Sequence, residues 1–450
     1  MRIAFPTPII IIRRITGNAR LAFGIGKVDY NPTCWSRASE GGSERRPPHL
    51  IHGGGFCSVL EIIAAGKQAM EKSIRRTMGR GAASRALTGM RDCVTAVFPK
   101  RVYIEGDELY HAMLSAIRSA RRSISLETYI YADDAVGRRF SRALAERAES
   151  GVKVRLLVDA FGSLGCFPRR TEKELRVAGV QVRRFHRWQW RHPLRYNRRN
   201  HRKLLVIDRH YAFLGGFNIH EQSSRVHTGS ERWRDTHVHF EGALAREAEA
   251  LFDLFWYQRW RYHHALRLPA TDVLASNHNS YTRQRLRYFV DDILESARLR
   301  LWVSTPYFVP DQHMQRRLIR AAQRGVDVRM LVPHKSDVQL TRWASCAVYA
   351  KLLDEGVRIF EYLPRMLHAK IVLADGEWCM VGTSNLDYRS SRHNYELNLI
   401  SADPALCREL EEHFRRDLQG SAEVHHRGWA ARPLFQRLVE TIGWLIRGWL

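Results

Sequence analysis

Apolar residues recur along this chain in two rhythms. Asp107 to Ser119 places Leu109, Met113, Leu114 and Ile117 at helical spacing, and Phe140 to Ala148 and Met314 to Ala322 behave likewise. Between these stretches lie short apolar runs such as Val154 to Val158 and Val328 to Val332, bounded by glycine and read as strands. Two further runs, Leu204 to Ile207 and Ile371 to Ala374, are apolar at every position, which predicts strands buried on both faces. Strands alternating with helices predict an α/β fold, each part a mixed sheet with helices on its faces. At 450 residues the chain is long enough for two such domains with full cores.

The pattern is duplicated. Ser125-Leu126-Glu127-Thr128-Tyr129-Ile130-Tyr131 matches Val303-Ser304-Thr305-Pro306-Tyr307-Phe308, Gly151 to Val158 matches Gly325 to Val332, and Gly179-Val180-Gln181-Val182 matches Gly356-Val357-Arg358-Ile359. The doubled feature with chemical content is an octapeptide. His201-Arg202-Lys203-Leu204-Leu205-Val206-Ile207-Asp208 and His368-Ala369-Lys370-Ile371-Val372-Leu373-Ala374-Asp375 both read H-x-K-x-x-x-x-D. A Gly-x-x-Asn turn follows each, ending at Asn218 and at Asn385. The spacing between copies shrinks at the motifs, so the first copy carries about ten extra residues just before His201.

Residues two apart in an extended chain share a face, so His201 lies with Lys203 and His368 with Lys370. Cleaving a phosphodiester needs a nucleophile, a proton donor for the leaving alkoxide and positive charge on the non-bridging oxygens. Two half-sites brought together supply two imidazoles and two ammonium groups around one phosphate. Asp208 and Asp375 close the motifs and are grouped with the catalytic set, although their place at the strand ends suits organising a turn or the lysine network.

This doubled signature resembles the phospholipase D superfamily over roughly residues 102–419. Within it, the flanks Ile104 to Tyr110, Trp233-Arg234-Asp235-Thr236-His237-Val238 and Gly382 to Ser390 resemble the bacterial cardiolipin synthase group. The resemblance implies two tandem domains with one active site at their interface. It implies phosphatidyl transfer between anionic phospholipids through a phosphohistidine, forming cardiolipin from phosphatidylglycerol, with a hydrolytic phospholipase D or a nuclease as alternatives. It implies His201 as nucleophile, His368 as acid, and a carboxylate downstream of each motif to orient an imidazole. Glu396 is assigned to His368 and Asp235 to His201, with Asn218 and Asn385 supporting. His186, His192 and His237 match no site pattern.

Composition narrows the partners. Lys and Arg number 72 against 46 acids, a formal charge of +26, which favours an anionic surface, acidic lipid above nucleic acid. Nine Arg or Lys and no acid fall between Arg183 and Lys203, interleaved with Trp188, Trp190 and Tyr196. This reads as a basic, aromatic lip for lipid headgroups. From Leu434 onward, Leu438, Ile442, Leu445, Ile446 and Trp449 continue one apolar helical stripe. It is too short to span a bilayer and suits either an interfacial helix or packing on the enzyme. The expectation is a peripheral protein on the cytoplasmic face of the cell membrane, with both half-sites in one chain and oligomerisation not required. Seven scattered cysteines without C-x-x-C spacing, and no H-E-x-x-H, predict no metal and no cofactor. The expected divisions are an N-terminal extension (1–95, with a helix near Val59 to Arg76), a first domain (96–268), a linker (269–282), a second domain (283–425) and a tail (426–450).

Overall fold

The computed structural model describes residues 100–187, 190, 197–259, 272–426, 429 and 432–445. The N-terminal extension, its expected helix, and Trp188, His192, Tyr196, Ile446 and Trp449 lie outside the described residues. The first half forms a seven-stranded sheet from β1 (Arg101–Tyr103), β2 (Ser123–Thr128), β3 (Lys153–Asp159), β4 (Gln181–Phe185), β5 (Leu204–Ile207), β6 (Tyr211–Gly215) and β7 (His237–Glu241), in the order β1-β7-β6-β5-β2-β3-β4. The second half forms an eight-stranded sheet from β8 (Asp272–Ser276), β9 (Arg300–Ser304), β10 (Asp327–Pro333), β11 (Arg358–Tyr362), β12 (Ile371–Ala374), β13 (Trp378–Gly382), β14 (Leu397–Ser401) and β15 (Ser421–Glu423), in the order β15-β11-β10-β9-β12-β13-β14-β8. Apart from the added β15, the two orders are the same when β8 is matched to β1. In each sheet three strands run parallel and the remainder pair antiparallel. The expected mixed α/β architecture in duplicate is the one observed.

The two all-apolar runs show why alternation is missing from them. Leu204 and Val206 enter a central core that also takes Ile371 and Leu373, with the helices Ala243–Trp256 and Pro404–Gln419. Leu205 and Ile207 face the first half's own core, and Val372 and Ala374 face the second half's. Each motif strand is thus covered on both faces, and the central core is common to both sheets. Burial of this kind stabilises by about 25 cal/mol per Å² of apolar surface.

One expectation needs correction, and one left open is narrowed. Residues 269–282 are not a simple linker: Asp272–Ser276 is β8, paired antiparallel with β14 at the sheet edge. Its polar ends hid it, although its place before a helix repeats that of β1. The helix Leu434–Leu445 lies along the helix Gln339–Asp354, where Gly443 comes so close to Trp343 and Ala344 that a side chain there would meet them. Trp444 packs on the second core, while Phe435 and Leu445 stay exposed. The stripe is therefore at least partly a tertiary contact.

Candidate active site

The motif histidines stand just ahead of β5 and β12, where the chain leaves the sheet and meets the other half. His201 N–H donates to the Tyr395 carbonyl and Tyr395 N–H to Arg199. Symmetrically, His368 N–H donates to the Arg234 carbonyl and Arg234 N–H to Met366. These short parallel bridges, Asn200 with Tyr395 and Arg234 with Leu367, tie each motif to the carboxylate segment of the opposite half.

The consequence overturns the expected pairing. His201 Nδ1 lies 3.0 Å from Glu396 Oε2, and His368 Nδ1 is hydrogen-bonded to Asp235 Oδ2. Glu396 and Asp235 do orient the histidines, but crosswise. The family resemblance pairs each carboxylate with the motif upstream of it; nothing local in the chain records a backbone bridge between halves. His201 Nδ1 also lies 3.1 Å from the Thr383 carbonyl. Both neighbours accept, so Nδ1 holds the proton and Nε2 is left with its lone pair.

Both imidazoles line a cavity of about 420 Å³ with Tyr129, Arg199, Trp233, Tyr307, Asp337 and Asp387 among its walls. Tyr129 stands edge-on to His201 with ring centroids 5.0 Å apart, and Trp233 lies 5.0 Å from His368. These aromatics, and the Asp337 carboxylate that accepts from Tyr307 Oη, were not singled out beforehand. Trp233 lies in a flanking motif and Tyr129 and Tyr307 in matching duplicated segments, which was the available signal. Lys203 and Lys370 are almost wholly buried, and each Nζ donates to the carbonyl of its own motif's histidine.

Burial dominates the electrostatics. It lowers both histidines; Lys370 adds to this at His368, which is pushed down to about 3. Burial and the charge of Lys370 push Lys203 down to about 7, while burial takes Lys370 to about 8 against the pull of Asp235 and Glu396. Burial also opposes ionisation of Asp235 and Glu396. The neighbouring histidines and lysines outweigh it and hold both carboxyls below their usual range.

The motif acids lie elsewhere. Asp208 accepts the N–H groups of Arg121, Arg122 and Ser123, and Asp375 those of Arg298, Leu299 and Arg300. Both take left-handed backbone, φ 52 and 56, which aspartate tolerates in tight turns. Their contacts correct the catalytic grouping: they brace the turn into β2 and β9. Asn218 accepts from the Ile130 N–H, and Asn385 donates to Asp387; both line the cavity. In the expected basic lip, Arg183 stacks on Trp256, and Arg184 and Arg187 pair with Glu172. These three are engaged within the protein, while Trp190 is exposed.

The family model described as cardiolipin synthase, phospholipase D-like domain matches residues 113–256 and 290–418. A cardiolipin synthase of Clostridium perfringens is 33% identical over 76% of this chain and 75% of its own length. Cardiolipin synthase A of Pseudomonas entomophila is 34% identical over 72% of this chain and 69% of its own. The crystal structure of phosphatidylserine synthase from Haemophilus influenzae superposes with a TM-score of 0.61 at 13% identity, covering 81% of this chain and all of that one. That likeness supports the fold. The doubled half-site and these relatives together place the chain in the cardiolipin synthase family of the phospholipase D superfamily, as a phosphatidyltransferase.

Proposed function

We propose that this enzyme forms cardiolipin from two phosphatidylglycerol molecules through a phosphohistidine. The observation that carries the reading is the crossed arrangement: two carboxylate-oriented imidazoles on one cavity, backed by two buried lysines. His201 Nε2 attacks phosphorus and the bond to the glycerol oxygen breaks. His368 gives that oxygen its proton. His368 then takes the proton from the hydroxyl of a second lipid, whose oxygen attacks phosphorus and breaks the P–N bond. Lys203 and Lys370 supply positive charge to the non-bridging oxygens.

The acid role requires a protonated His368, which burial and Lys370 disfavour. An anionic phosphate beside the two lysines offsets that repulsion, so protonation of His368 is coupled to substrate binding. His201 has two acceptors at Nδ1, which suits the nucleophile.

Among the described residues no helix is long and apolar enough to cross a membrane. Peripheral association with the cytoplasmic face of the cell membrane completes the proposal.

The test is incubation with phosphatidylglycerol labelled in phosphate and in the free glycerol, in excess chelator. Cardiolipin with released glycerol is expected, and alkaline quenching should trap label on His201. Phosphatidic acid as sole product would establish hydrolysis instead, and cleavage of single-stranded DNA without lipid turnover would establish the nuclease.

A further inference from the structure

A second cavity, of about 410 Å³, lies beside the catalytic one, and Asn385 and Asp387 belong to the walls of both. Its apolar lining comes from Leu286 and Val290 on the helix Ser280–Ser296, Met314 on the helix Gln312–Gln323, and Met380 and Leu386. No step of the mechanism uses it. Its size is that of a small-molecule site, and an apolar cavity gains by taking an apolar ligand.

Part of the lining has a different chemistry. Arg283 and Arg287 line the cavity from the helix Ser280–Ser296, with Asp291, Asp311 and His313, while Tyr281 and Tyr288, 70% and 62% accessible, stand with Arg285 on that helix's opposite face. Arg283 is held by the carbonyls of Asn277, Ser391 and Asn394, and Arg287 pairs with Asp311. Exposed tyrosine with arginine is the composition that settles at the boundary between headgroups and hydrocarbon. A largely apolar cavity next to a phosphate-handling one, beneath a helix whose outer face carries exposed tyrosine and arginine, matches one kind of molecule.

We propose that this cavity holds an acyl chain of the anionic phospholipid whose phosphate occupies the catalytic cavity. The inference rests on the phosphatidyl-transfer reading and adds a specificity element to it: the segment Asn385–Arg392 divides headgroup from tail. The cavity then selects substrates by chain length, and contributes binding only to lipids long enough to reach it.

The test fills the cavity with Leu286→Trp and, separately, Val290→Trp. Each is assayed on dioleoyl-phosphatidylglycerol in mixed micelles and on the soluble dihexanoyl lipid. The expected result is a fall of about tenfold or more in kcat/KM for the long-chain lipid, with short-chain turnover within about twofold of the parent. Retained short-chain turnover also shows that the variants fold. Equal losses on both lipids in both variants, or no loss on either, would overturn the proposal. Binding of a phosphatidylglycerol bearing a pyrene-labelled tail, read by fluorescence, needs no turnover. It should weaken in both variants, and unchanged binding would overturn the pocket assignment. If the parent enzyme turns over neither lipid, the transfer reading has failed, and the binding measurement still decides the pocket.

Discussion

At the residue scale the site is a set of charges held where water cannot screen them. Lys203 sits at about 7 and Lys370 at about 8, against 10.5 for an ordinary lysine. The unfolded chain therefore binds more protons between those values, so this contribution to stability rises as pH climbs through that window and is absent below it. An anion between the ammonium groups relieves the penalty when they are charged. Inorganic phosphate should raise Tm more at about pH 6 than at about pH 9.5, and Lys203→Met should remove most of the increment. Equal increments at both pH values would mean that the lysines do not hold the anion. The crossed carboxylates give a second test. Glu396→Gln and Asp235→Asn should each lower kcat by about 10²- to 10⁴-fold. In NMR spectra the hydrogen-bonded Nδ1 proton of His201 should shift upfield with Glu396→Gln, where neutral acceptors replace the carboxylate, and stay in place with Asp235→Asn. The opposite pattern would restore the pairing expected from sequence.

At the element scale, helix Pro404–Gln419 reaches across to the first half. Arg234 is buried, donates to both carboxylate oxygens of Asp417 on that helix, and also bonds the Asp235 carbonyl and Thr236 Oγ1. The segment that orients His368 is thus fixed on one side by its backbone and on the other by an ion pair. Asp417→Ala leaves the Arg234 charge buried without its carboxylate, at a cost of about 3–5 kcal/mol. Denaturant unfolding should show it as a lowered midpoint with an unchanged slope, and kcat should fall with KM little affected. A surface-like loss below about 1 kcal/mol would mean that Asp417 does not clamp the segment.

At the scale of the whole molecule, neither half holds a complete site. Each imidazole takes its carboxylate from the other half, and both sheets share the central core. Mixing purified His201→Ala and His368→Ala chains should restore no turnover, since each chain closes its own defective site. Recovered activity would point to exchange of halves between chains. The C-terminal helix also belongs to this scale. Because Leu434–Leu445 docks on Gln339–Asp354, deleting residues 434–450 should lower Tm by several degrees. An unchanged Tm with lost sedimentation on phosphatidylglycerol vesicles would return the helix to the role of membrane anchor.

The amino-acid sequence by itself determined the duplication, the mixed α/β layers and the histidine–lysine pairs, because these depend on local period and spacing. A strand with apolar residues at every position must be covered on both faces, and Leu204 to Ile207 and Ile371 to Ala374 are. It also contained the two orienting carboxylates, as acids at comparable distances beyond each motif. Only the tertiary structure decided which carboxylate serves which histidine. That choice is made by backbone bridges between Asn200 and Tyr395 and between Arg234 and Leu367, residues far apart in the chain that meet when the sheets share a core. The same holds for Asp208 and Asp375. Their motif position grouped them with catalysis while their place at the strand ends suited a turn, and their carboxylates turn to backbone amides one strand away.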